Sequence, residues 1–345
     1  MSEKFKIAIV GATSLQGKEL NEALADSVFG AAEVALIDDE ARAGQLEAAG
    51  DEATVVQRID KGSFAHVDFA FFAGAREMTR KHWNEALNMG ASVVDLSGAL
   101  DDVPGVLVLT PWLGDELAVA EAEGISLSTP AIVAAHPAAV TLALMVSRLQ
   151  GLSEVRSASA TVLEPASEYG RKAIDELHQQ TVALLNFQNL PKEVYETQVA
   201  FNLVPSFGVS RVLGESEARV RRHYELLRGG RIADVGIQLL HAPVFHGTGL
   251  SVAIEFAERV PAGRVETALS GKHIEIAGDD VEPPDNLRSA GQGDVVVSVR
   301  TQSGTKEASN RFWIWASFDN LKIASLNALA CAMVLRRLRP QGKVQ

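Results

Sequence analysis

The sequence contains one cysteine, Cys331, among 345 residues. That excludes an internal disulfide framework and any metal site built on several thiolates. Positive charge is also scarce: 32 Lys and Arg against 44 Asp and Glu leave a formal charge of −12. Sequence-independent binding to nucleic acid or to an anionic membrane needs a concentrated cationic face, so neither partner is expected. The basic residues that do cluster, Arg219-Val220-Arg221-Arg222 and Arg336-Arg337-Leu338-Arg339, read as solvated helix faces. No apolar run is long enough to span a bilayer, since the longest, Ala131 to Val146, is interrupted by His136 and Pro137. The amino end passes directly into a strand pattern without a cleavable hydrophobic segment, which makes a cytoplasmic location the expectation. His241 and His246 flank Pro243 with no carboxylate or thiol beside them, so no metal is expected.

The length points to two domains, because one hydrophobic core rarely grows so large. Phe5-Lys6-Ile7-Ala8-Ile9-Val10 is a β-type run, and Gly11-Ala12-Thr13-Ser14-Leu15-Gln16-Gly17 follows it. Leu20, Ala23 and Leu24 then keep helical spacing. A strand, a glycine turn and a helix are the context of a dinucleotide fingerprint, in which glycine admits a pyrophosphate and the helix amides hold it. The spacing here is Gly-x-x-Ser-x-x-Gly, with Ser14 at the central glycine position.

Strand-like runs recur at Glu33–Asp38, Val67–Phe72, Ser92–Ser97 and Val106–Leu109, with a helix over Arg76–Met89. Together they predict a Rossmann-like, doubly wound, mostly parallel sheet with its ligand at the carboxyl ends of the strands. Asp38 stands where a carboxylate accepts from a ribose hydroxyl pair. Asp39 and Glu40 beside it repel a 2'-phosphate, which favours NAD over NADP, although Arg42 is near. Beyond a helix over His136–Leu149, a long amphipathic helix is expected over Glu168–Phe187. Strands at Val235–Leu240, Leu250–Phe256, Asp294–Arg300 and Arg311–Ala316 suggest an α+β second domain, and Asn320 opens a last helix.

Five blocks resemble aspartate-semialdehyde dehydrogenases over nearly the whole chain: Val10-Gly11-Ala12-Thr13 with Gly17; Val94-Asp95-Leu96-Ser97-Gly98-Ala99; Gly170-Arg171-Lys172-Ala173 with Asp175-Glu176-Leu177 and Gln180; Ala200-Phe201-Asn202-Leu203-Val204-Pro205; and Asp319-Asn320-Leu321 with Leu326-Asn327-Ala328. The resemblance implies a homodimer of two-domain protomers: 1–132 together with 318–340 as the dinucleotide-binding domain, and 133–317 as the dimerisation and substrate-type domain. The implied NAD(P) contacts are Gly11, Ala12, Thr13, Ser14, Leu15, Gln16, Gly17, Asp38, Arg42, Gly74 and Asn320. It also implies reductive dephosphorylation of an acyl phosphate through a cysteine thioester, assisted by a histidine, a glutamine and two anion-binding arginines.

Each of those catalytic positions is altered in this sequence. The nucleophile's place in Ser128-Thr129-Pro130-Ala131-Ile132 falls on Ile132, or on Ala131 if the alignment shifts by one. Neither can form an acyl intermediate. Cys331 lies in an apolar helical run and reads as core. The orienting glutamine becomes Glu164, the substrate arginine His241, the histidine Thr248, and the phosphate arginine Asp101. His246, two residues before Thr248, shares its face if a strand runs through both.

Three functional readings follow. The first is a non-catalytic NAD(P)-binding dimer, similar to the Usg branch of the family. The second is a dehydrogenase working by direct hydride transfer to a carbonyl, with Glu164, His241 and His246 as binding and acid/base groups. The third is an interaction protein that pairs with another protein and binds no nucleotide.

Overall fold

The computed structural model describes residues 5–49, 52–117, 125–126, 128–208, 210–278, 283–304 and 307–338. Arg339 of the second basic cluster lies outside them. The chain divides into two compact units, one of Met1–Ala135 with Ala324–Gln345, the other of His136–Ile323.

The first unit contains β1 (Lys6–Val10), α1 (Leu15–Ala25), β2 (Glu33–Asp38), β3 (Leu46–Ala49), β4 (Glu52–Val55), β5 (Gln57–Arg58), β6 (Phe69–Phe72), α2 (Arg76–Asn88), β7 (Ser92–Asp95), β8 (Leu107–Leu109), α3 (Leu113–Leu117) and β9 (Ile132–Ala134). Seven strands form one sheet in the order β5-β2-β1-β6-β7-β9-β8, and every pair in it is parallel. β3 and β4 form a separate antiparallel hairpin. Parallel strands covered on both faces must be apolar on both sides, and all four residues of β6 are buried. Ile9, Leu20, Phe71 and Ile132 pack on one face of the sheet, Val10, Ile37, Phe72 and Ala131 on the other.

The structure places the family's nucleophile stretch and changes one sequence expectation. The Pro130-Ala131-Ile132 stretch leads into β9, an interior strand paired to β7 and β8, so it is sheet core. Arg336 does not sit on a wholly solvated face: its guanidinium lies 4.8 Å from the centre of the Phe5 ring.

The second unit contains α4 (Pro137–Gln150), β10 (Val155–Glu164), a short 3-10 turn (Ala166–Tyr169), α5 (Arg171–Leu185), β11 (Val204–Pro205), α6 (Arg211–Arg228), β12 (Gly236–His241), β13 (Thr248–Val260), α7 (Ala262–Leu269), β14 (Ile274–Ile276), α8 (Asn286–Ser289), β15 (Val295–Thr301), β16 (Ser309–Phe318) and the start of α9 (Asn320–Leu338), whose remainder belongs to the first unit. Its seven-stranded sheet runs β11-β12-β10-β13-β16-β15-β14. β10/β12 and β14/β15 are parallel, and the other pairs antiparallel. The expected helix over Glu168–Phe187 is broken at Gly170, whose φ of +82° is costly for any other residue. Glu168 and Tyr169 therefore belong to the 3-10 turn, and α5 starts at Arg171.

Along β12, Ile237, Leu239 and His241 are buried while Gly236 and Gln238 are exposed. Ala160, Val162 and Glu164 make the matching buried row of β10. Glu164 and His241 are thus the polar ends of two apolar rows. On the opposite face of the sheet, Trp313 remains 52% exposed.

Candidate functional site

In the first unit, the expected dinucleotide turn forms at the carboxyl ends of β1, β2 and β6. Gly11, at φ +81°, sits so close to Gly74 that a Cβ on it would lie 2.2 Å from the Gly74 Cα. A Cβ on Gly17 would lie 2.3 Å from the Gly11 carbonyl oxygen. These three glycines therefore allow the turn, the first strand and α1 to meet. Ser14 caps α1: its Oγ accepts from the Gly17 amide at 2.8 Å and donates to the Ala73 carbonyl at 2.8 Å. The hydroxyl at the central glycine position is thereby folded into the turn. Gln16 donates to Ser325 Oγ at 2.8 Å.

Asp38 is buried, and one of its carboxylate oxygens accepts from both the amide and the hydroxyl of Thr13, at 2.9 and 2.7 Å. The other accepts from the Asp39 amide at 2.9 Å. Its orientation is fixed, and a carboxylate retains acceptor capacity beyond three bonds. Arg42 is exposed. The glycine cradle, the start of α1 and the fixed acid suit a dinucleotide's pyrophosphate and ribose. Asn320 lies in the other unit. There its side chain donates to Glu168 at 3.0 Å and accepts from Ser167 at 3.0 Å.

The expected nucleophile positions present nothing to solvent. Ile132 is fully buried and Ala131 nearly so, each within a core cluster. Cys331 is also fully buried, and burial pushes its thiol well above the usual range, opposite to what a nucleophile needs.

The second unit gathers its ionisable groups around Glu164. Ser216 on α6 donates to both oxygens of that carboxyl, at 2.9 and 3.0 Å, and the Tyr169 hydroxyl donates to Oε2. His136 Nε2 lies 3.5 Å from Glu164 Oε1 and 2.9 Å from Glu168 Oε1, aligned squarely with neither. Burial, reinforced by the charge of Glu168, raises the Glu164 pKa to about 7. Burial opposes ionisation of Glu168 as well, but His136, Arg219 and Asn320 outweigh it and hold that carboxyl below the usual range. Arg219, expected on a solvated face, thus exerts its charge on Glu168.

His136, Glu164 and Glu168 offer one nitrogen and two oxygens within 4.8 Å of one another, a spacing that suits a metal ion. The imidazole is wired against that use. His136 caps α4, its Nδ1 accepting from the Ala138 amide at 3.2 Å, so the ring proton of the neutral form resides on Nε2. A metal-bound imidazole instead donates through its other nitrogen. The arrangement suits storage or transfer of a proton.

His241 is the register partner of Glu164 and is fully buried against Tyr195, with ring centres 4.6 Å apart. Burial lowers its pKa to about 4, so it is a neutral ring where the family resemblance implied a cationic arginine. Neither ring nitrogen has a hydrogen-bond partner among the described residues, and neither does the Tyr195 hydroxyl. Tyr195 is placed by Glu176, whose carboxylate accepts from the amides of Glu193, Val194 and Tyr195, and by Gln180, which donates to Pro191 and Thr197 carbonyls. Thr248 is buried as the first residue of β13. His246 does not share its face: the turn at Gly247, φ +82°, breaks the strand and leaves His246 exposed.

Sequence reasoning found Glu164 and His241 but missed His136, Glu168, Tyr169 and Ser216. The available signals were the His136-Pro137 helix start and an acid four residues after Glu164.

A parallel dinucleotide-type sheet in one unit and a mixed sheet with a buried acid cluster in the other define a two-part chain of the dehydrogenase class. Residues 6–120 match the semialdehyde dehydrogenase NAD binding domain, and residues 147–323 match the semialdehyde dehydrogenase dimerisation domain. The chain belongs to the semialdehyde dehydrogenase family. It is 32% identical over 339 residues to a USG-1 protein homolog of Pseudomonas aeruginosa, covering 97% of this chain and 98% of that one. A USG-1 protein homolog of Azotobacter vinelandii is 31% identical over 342 residues, with 97% and 98% covered. The solved structure of a probable aspartate-semialdehyde dehydrogenase from Pseudomonas aeruginosa superposes with a TM-score of 0.82 at 28% identity, covering 98% of this chain and all of that one.

Proposed function

We propose that this chain is a dinucleotide-binding homodimer of the family that does not perform thioester chemistry. The observation that carries the reading is the burial of Ile132 and Ala131 on opposite faces of the sheet, together with an inert, buried sole cysteine. The residues that would hold the dinucleotide are Gly11, Ser14, Gly17, Gly74 and Asp38; when bound, it supplies or accepts hydride. Asp38, Asp39 and Glu40 form an acidic edge that favours NAD over NADP. Titration calorimetry with each dinucleotide tests this: NAD binds more tightly, and equal or reversed affinities sink the preference. The dimerisation-domain match supports self-association. Sedimentation equilibrium tests that part, and a monomer at micromolar concentration contradicts it.

One observation favours a second reading, direct reduction of a carbonyl. Glu164 keeps a carboxyl proton near neutral pH beside two hydroxyl groups, Tyr169 and Ser216, as a proton donor to a forming alkoxide must. NADH oxidation over a panel of aldehydes and ketones tests it. Activity that Glu164→Gln abolishes establishes this reading, and no activity on any member removes it. No helix among the described residues is long and apolar enough to cross a membrane.

A further inference from the structure

The acid cluster stands where the chain enters and leaves the second unit. His136 is the first residue of that unit, and Asn320 lies shortly before its last, Ile323. Both meet Glu168: His136 Nε2 lies 2.9 Å from its Oε1, and the Asn320 amide donates to its Oε2 at 3.0 Å. His136 is held from two further directions: its backbone amide donates to His223 Nδ1 on α6 at 2.9 Å, and its own Nδ1 caps α4. Five segments therefore meet at three ionisable side chains: the start of α4, the end of β10, the 3-10 turn, α6 and the start of α9.

We propose that His136, Glu164 and Glu168 share a proton, and that this proton is a pH-sensitive latch holding the two ends of the second unit's chain segment together. While it is present, one carboxyl is neutral, the other anionic, and the Nε2–H lies between them. When it leaves, two carboxylates face a single N–H in a site where Glu164 has no exposed surface. His136 favours the ionised form of Glu164, but burial and the charge of Glu168 outweigh it. Tyr169 and Ser216 already donate to it, His241 is a neutral neighbour in the next strand, Tyr195 is uncharged, and Arg219 is the cation whose field also reaches Glu168. Repulsion then falls on the contacts of Glu168 to His136 and Asn320. Protonation favours the closed latch, and a rise in pH past neutrality opens it. This inference stands apart from the question of bound dinucleotide, since every member belongs to the second unit.

The test uses the whole protein. Histidine side-chain nitrogen NMR is expected to show the neutral form of His136 protonated on Nε2 and bare on Nδ1. Hydrogen exchange at the Ala138 amide and over residues 321–323, corrected for intrinsic base catalysis, is expected to accelerate about tenfold from pH 6 to pH 8.5, the scale of one pKa unit. Glu164→Gln, which cannot ionise, abolishes that response. Glu168→Gln moves it to lower pH, because the neighbouring charge is gone. A proton on His136 Nδ1, exchange independent of pH in the unmodified protein, or an undiminished response in Glu164→Gln overturns the proposal. If Glu164→Gln does not fold, the tautomer and the exchange profile of the unmodified protein decide the matter.

Discussion

Glu164 and His241 are direct neighbours in the parallel ladder of β10 and β12, both fully buried, yet no hydrogen bond joins them. The carboxyl is satisfied by Tyr169 and Ser216, while the imidazole rests on the Tyr195 ring with both nitrogens unpartnered among the described residues. Burial drives them in opposite senses, raising the acid and lowering the base, so both are held in their neutral forms.

A buried ring without partners gains nothing from its polarity, and replacing such a group by an apolar one is close to neutral. His241→Leu is therefore expected to change unfolding free energy by less than about 1 kcal/mol in urea denaturation. A larger loss would reveal a partner, such as a bound water, that anchors the ring.

The pH dependence of stability follows from Glu164. Its folded pKa of about 7 lies above the ordinary carboxylate value of 4.5, so its contribution is complete below the unfolded value and is lost as pH rises through the folded one. Glu168, shifted downward, contributes fully above its unfolded pKa and is lost only in strong acid. Between about pH 5 and 8 the protein is therefore expected to lose up to roughly 3 kcal/mol, and Glu164→Gln is expected to flatten that slope. Denaturation midpoints across this range check the sign: stability rising with pH contradicts it.

The His136 tautomer makes a distinct prediction. Because Nδ1 accepts from the Ala138 amide, Nε2 carries a proton and offers no lone pair to a cation. Added zinc or manganese is expected to leave the melting temperature unchanged, whereas a ligand that bound the folded form at a hundred times its Kd would contribute about 2.7 kcal/mol. A saturable rise abolished by Glu168→Gln would show that the imidazole can turn and serve as a ligand.

Gly11 tests the dinucleotide cradle. Alanine there is strained by the positive φ and places its Cβ 2.2 Å from the Gly74 Cα. Gly11→Ala is expected to destabilise the protein by several kcal/mol, about 1 from the left-handed backbone and the rest from displaced strands, and to abolish dinucleotide binding. Retained affinity with unchanged stability would show that the turn differs from the one described.

The doubly wound fold was legible because its signals are local: apolar strand runs, a glycine turn and helical spacing lie within a few residues of each other. The cap made by Ser14 was not, since nothing in a Gly-x-x-Ser-x-x-Gly pattern shows the hydroxyl turning inward to the Gly17 amide and Ala73 carbonyl. Glu164 and His241 were found as substituted family positions, but their partners were hidden. His136 and Ser216 come from segments far away in sequence, and Glu168 was assigned to a helix that Gly170 breaks. Arg219 looked solvated because a helix pattern gives the spacing of a face without the charge opposite it. The face of His246 hung on whether a strand runs through Gly247, and the positive φ there starts β13 only at Thr248.

The central claim, a family member that holds a dinucleotide without thioester chemistry, meets its most direct test in one assay. Purified protein is supplied with aspartate semialdehyde, inorganic phosphate and NAD or NADP, and reduced cofactor is followed by absorbance. The account predicts no turnover above the protein-free control. Turnover on the order of 1 s⁻¹ or faster, in the ordinary enzymatic range, would contradict it.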